Sequence, residues 1–178
     1  MLREPGAATR RCLRLFVALL IVAAAGAQAQ ERSLRLQTGE TVTYRLITDD
    51  ADSARAASAH LLRLLAAGEI DAAAHLSNAP ERRREVLRDY LKSVGEAEFR
   101  RVFGEYARRR VIAEVAIGER RLLVWDLGDR GQHLAGQYFI RSPGGFLLDD
   151  VPNEERLHLT RVLRAYRSGQ IKRADGTD

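Results

Sequence analysis

The chain has 178 residues, is 46% apolar, and carries 29 basic against 24 acidic side chains for a formal charge of +5. That length buries the core of one domain and hardly of two. Its one cysteine, Cys12, lies in a segment expected to be removed, which excludes disulfides, thiolate catalysis and cysteine-ligated metal from the mature protein.

Taken in order, the first segment reads as an export signal. Arg3, Arg10, Arg11 and Arg14 precede an apolar run over residues 15–25, and Ala27-Gln28-Ala29 gives the small-x-small pattern of signal-peptidase cleavage. The run is well short of the ~20 residues that a spanning helix needs. Residues 1–29 are therefore expected to be cleaved, leaving Gln30 first in a periplasmic or secreted protein with no stable membrane anchor. Cleavage removes four arginines and Glu4, so 25 basic residues face 23 acidic ones and the mature charge is +2. With that charge spread over helices of mixed sign, and no basic run interleaved with aromatics, nucleic-acid binding is not expected.

Residues 30–53 read as an N-terminal hairpin and linker. Leu34 and Leu36, then Val42, Tyr44 and Leu46, alternate with polar residues around Thr38-Gly39-Glu40, the period of strands with one wet face. Helical spacing starts at Ala54, with Ala57, Leu61, Leu64 and Leu65 on one face and Gly68 as a stop. A short second helix spans residues 69–76. Pro80, placed where a first turn tolerates it, opens a third region in which Val86, Leu87, Tyr90, Leu91 and Val94 repeat at three and four. Gly95 interrupts this face before Phe99, Val102, Phe103 and Tyr106 resume it, giving two helices or one bent helix. Strand signals follow over residues 111–117, 121–127, 132–141 and 145–150, separated by Gly118-Glu119, the turn 128–131, and Ser142-Pro143-Gly144. A last helix starts at Asn153 and stops at Gly169, and residues 170–178 are expected to form a disordered tail.

Helices followed by an antiparallel meander make an α+β domain over residues 54–169. The stretch LLRLLAAGEIDAAAHL, the long covering helix after it, and the closing hairpin GQYFIRSPGGFLLDD resemble the nuclear-transport-factor-2-like, or SnoaL-like, superfamily. The resemblance implies a cone-like α+β roll: helices packed against a curved antiparallel sheet, here with an N-terminal hairpin and a C-terminal helix added. It also implies an apolar pocket, used by different members for ligands, for protein contacts, or for cofactor-free acid–base chemistry. A scaffold alone does not choose among these.

The candidate site residues are few. Asp126 follows Leu122-Leu123-Val124-Trp125, a strand apolar on both faces, where a partly desolvated carboxylate could serve as a general base. The competing role is acceptor in the turn that begins there. Trp125, Tyr90, Tyr138 and His133 are candidates for a ligand-binding wall. The four histidines stand in four different elements with no ligand spacing, so neither metal nor cofactor is expected. Adjacent Asp149 and Asp150 point to opposite faces of a strand and cannot share a proton. The reading favoured is an exported, non-catalytic domain that binds an apolar small molecule or a protein partner, with a homodimer left open. A cofactor-free isomerase, dehydratase or hydrolase is the alternative.

Overall fold

A strand that is apolar at every position must be covered on both sides, because successive side chains alternate between faces. β4 (Arg120–Asp126) is such a strand over residues 122–125. Its Leu122 and Val124 belong to one hydrophobic core, and its Leu123 and Trp125 to another. The computed structural model describes residues 30–128 and 133–171; residues 1–29, read above as an export signal, residues 129–132 of the β4–β5 turn and residues 172–178 of the tail lie outside the described residues.

The fold is α+β. Six strands form one antiparallel sheet in the order β1 (Glu31–Arg35), β2 (Thr41–Leu46), β3 (Arg110–Ile117), β4, β5 (Leu134–Ser142) and β6 (Gly145–Leu148). The N-terminal hairpin joins the meander through the pairs Arg45↔Ala116 and Leu46↔Val115. Four helices are inserted between β2 and β3: α1 (Arg55–Ala66), α2 (Ile70–His75), α3 (Pro80–Val94) and α4 (Glu96–Ala107). They cover the face that carries Leu123 and Trp125. On the opposite face α5 (Glu154–Arg167) lays Leu159, Val162, Leu163 and Tyr166 against Leu122 and Val124. A register shift between Val111 and Ala113 marks a bulge at the start of β3, the usual device for bending a strand.

The break within the third helical region gives two helices. Gly95 adopts φ +81°, a left-handed conformation that non-glycine residues rarely take, and it serves as both the end of α3 and the start of α4. The two helices meet through three rings. Phe99, fully buried, lies 5.7 Å from Tyr90 and 4.8 Å from Phe103 between centroids, distances and tilts that suit the aromatic quadrupole.

Trp125 is also buried. It is 5% exposed, its ring centroid is 5.0 Å from that of Tyr106, and its indole nitrogen has no acceptor among the described residues. The same burial pushes the Tyr106 phenol up to about 12. As the only tryptophan in the chain, it should fluoresce at short wavelength and resist aqueous quenchers. Emission like that of free tryptophan in the native protein would contradict this packing. Among the described residues no helix is long and apolar enough to cross a membrane.

Candidate functional site

Four-residue β6 is too short to cover nine-residue β5. The chain leaves the strand after Leu148, where the next two side chains are taken by charged partners. The Asp149 carboxylate is buried and receives Arg120 Nε at 2.9 Å and Asn78 Nδ2 at 2.7 Å. Arg120 also reaches Glu155 at 2.6 Å, which ties the first turn of α5 to the end of the sheet. The Asp150 carboxylate accepts from Ser77 Oγ at 2.6 Å and from Arg83 through both guanidinium nitrogens, with Nε at 2.7 Å. Asn78 closes the arrangement by accepting the Asp150 N–H at 2.8 Å. The two carboxylates thus have separate partners, as opposite-facing neighbours should.

Past the end of β6 the first half of β5 has no strand on the edge away from β4. Arg141 N–H donates to Glu119 and Leu127 N–H to the His133 carbonyl, so the odd-numbered residues turn towards β4 and the even-numbered ones outward. The Tyr138 carbonyl receives the Asp149 N–H at 2.8 Å and the Leu134 carbonyl receives Arg167 Nε at 2.8 Å. Gly136, between them, faces a cleft of about 270 Å³ whose walls are Leu61 and Leu65 of α1, Leu87 of α3, Phe103 of α4, and Tyr138. The cleft shares Arg83, Asp150 and Arg156 with a second recess of about 250 Å³, where Arg82, Val86 and Pro152 complete the mouth.

The mouth is unevenly charged. Three guanidiniums line it, and one carboxylate, Asp150, already holds Arg83. Arg82 makes only a long 3.5 Å contact with the Asp150 carbonyl. Arg156 lies 5.0 Å above the Tyr138 ring, a stacking that fixes a planar guanidinium without neutralising it. Tyr138 is itself oriented by Thr160, whose Oγ1 is 3.1 Å from the phenol oxygen.

A larger groove of about 400 Å³ lies between α1 and the β5–β6 hairpin, but its polar groups are occupied in holding the fold. Arg141 pairs with Asp52 and Glu119, and Phe146 is flanked by the Arg121 and Arg141 guanidiniums. Ser53 donates to Glu114 at 2.6 Å.

Of the residues singled out from sequence, Tyr138 lines the smaller cleft, and Tyr90 stands behind it, 6.1 Å from the Phe103 ring. Trp125, Asp126 and His133 lie towards the β4–β5 turn. Asp126 accepts the Gly128 N–H at 3.2 Å, and His133 is exposed. Sequence reasoning did not select the mouth arginines, which come from α3 and α5 and meet only in three dimensions. It also passed over two buried charges that a close reading exposes, Glu114 inside the apolar run of β3 and Arg121 beside Leu122. Arg121 is 2% exposed and donates to Asp52 Oδ1 at 2.7 Å and to the Gly118 and Arg120 carbonyls. Burial pushes its guanidinium down, with Arg45 adding to the shift and Glu114 opposing it. Among the described residues no cluster of His, Cys, Asp and Glu could hold a metal.

Comparison with protein-family models, with curated proteins and with solved structures finds no match to this chain.

Proposed function

We propose that the protein is exported and binds an apolar small molecule, without transforming it, in the cleft beside β5. The observation that carries this reading is the cleft itself, a concave space between sheet and helices walled by leucines, a phenylalanine and a tyrosine, with Gln137 and the charged residues Arg83, Asp149, Asp150 and Arg156 as its polar lining. Small-molecule sites have that division of labour, apolar walls for affinity and a few placed polar groups for orientation. Its position also suits the pocket implied by a nuclear-transport-factor-2-like scaffold, which we propose as the fold family. Against an acid–base enzyme stands the engagement of the nearby carboxylates: Asp149 and Asp150 each accept from an arginine and from a further side-chain donor.

Protein recovered from the cell envelope should have the intact mass of a chain beginning at Gln30. Added octan-1-ol should shift the amide resonances of Phe103, Gly136 and Gln137 and leave those of β1 in place. Retention of residues 1–29 would remove the export, and saturating octan-1-ol without such shifts would remove the binding.

A further inference from the structure

We propose that the natural ligand is an amphipathic monoanion, an unbranched apolar chain ending in one carboxylate that sits between Arg82 and Arg156. This rests on the cleft being a binding site and adds the chemistry of its occupant. The apolar chain would lie along Leu61, Leu65, Leu87 and Phe103, which line the inner part of the cleft. The carboxylate would stop at the mouth, where the inner cleft and the outer recess share Arg83, Asp150 and Arg156.

Charge complementarity selects an anion. Asp150 is already held by Arg83 and Ser77, and among the described residues neither Arg82 nor Arg156 has a carboxylate partner. A guanidinium offers a planar fork of donors that matches a carboxylate. Arg156 is held in place by the Tyr138 ring at 5.0 Å, so little of its freedom is lost when a ligand arrives. Depth selects a small molecule with one head. Apart from Gln137 and the Tyr138 hydroxyl, the lining beyond the charged residues is apolar, so a second anionic group on the chain would be buried against leucine.

Calorimetry on the mature chain, with octanoate, octan-1-ol and acetate as probes, tests this. Octanoate should bind about tenfold tighter than octan-1-ol, the factor that one partly exposed charge-assisted pair supplies. Acetate, the head without the chain, should not bind measurably, and the octanoate preference should shrink as salt rises. Arg156→Gln should abolish the preference for octanoate, so that the two probes bind this variant with equal affinity. Arg82→Gln, at an exposed residue with only a 3.5 Å contact, should act the same way without disturbing the fold.

Equal affinities for octanoate and octan-1-ol would overturn the anionic head while the binding reading stands. No binding of either would remove both. Tighter binding of octyl phosphate or of a glutamate-rich peptide than of octanoate would overturn the carboxylate assignment.

Discussion

Glu114→Ala should lower the unfolding free energy by about 2–3 kcal/mol, the loss expected when a buried acceptor is deleted and the donors it satisfied are left without a partner. Glu114 is 1% exposed and stands on the helix-covered face of β3, where an apolar residue would be the ordinary choice. Its carboxylate accepts the Ala54 N–H at 2.7 Å and the Ser53 hydroxyl at 2.6 Å, with Arg55 Nε at 3.5 Å. These groups open α1, whose N-cap residue, Ala54, has no side chain able to cap it. A strand residue sixty positions away therefore does what a serine or aspartate usually does locally, and the positive end of the helix dipole favours the charge. Removing it orphans a buried N–H, leaves a cavity, and releases the start of the helix that walls the cleft. Glu114→Gln keeps the volume and one acceptor, so it should cost about 1–2 kcal/mol. Replacing an exposed carboxylate such as Glu98, paired only along its own helix, should matter far less. Chemical denaturation of the three variants checks the order. An alanine variant as stable as the parent would show that Glu114 does not hold α1.

Much of the fold could be read from local pattern. Alternation in residues 34–46, strand runs separated by a glycine turn in 111–127, three–four spacing in 57–65 and 86–106, and glycine at 95 each fix a structure within a few residues of themselves. The continuous apolarity of Leu122, Leu123, Val124 and Trp125 even indicated that the sheet has two covered faces, which α5 and the group α1–α4 now occupy. What could not be read depends on distant partners. β6 stops two residues early, where the Asp149 and Asp150 side chains are held by Arg120 and Arg83. The cleft exists because that strand is short, and its mouth joins residues 82 and 156 through a fold that neither segment encodes alone. A run such as Arg82-Arg83-Arg84 looks like a solvated helix face, yet only Arg82 is exposed, while Arg83 is held by Asp150 and Arg84 by Asp71 and Glu81. The three differ only in what the rest of the chain brings to them.

The sign of one substitution separates local preference from packing. Gly136 is a strand residue, and glycine in a strand interior is ordinarily worse than alanine by roughly 0.5–1 kcal/mol. Local propensity therefore predicts that Gly136→Ala stabilises the protein. Packing predicts the reverse. A Cβ at this position would lie 2.6 Å from Leu163 Cδ2 and 2.9 Å from Leu122 Cδ1, both inside van der Waals contact. Neither leucine has room to withdraw, since Leu122 is 0% and Leu163 is 4% exposed in the core beneath α5. Gly136 is thus a place where α5 packs tightly against the sheet, and alanine there should cost about 1–3 kcal/mol by overpacking. Leu163→Ala alone should also destabilise, by about 2–5 kcal/mol, through the cavity it leaves. Combined, the two changes should be less damaging than their sum, because the new methyl enters the space that the leucine vacated. A thermodynamic cycle over the four proteins measures this coupling. Strict additivity, or a Gly136→Ala protein more stable than the parent, would mean that α5 does not rest on Gly136.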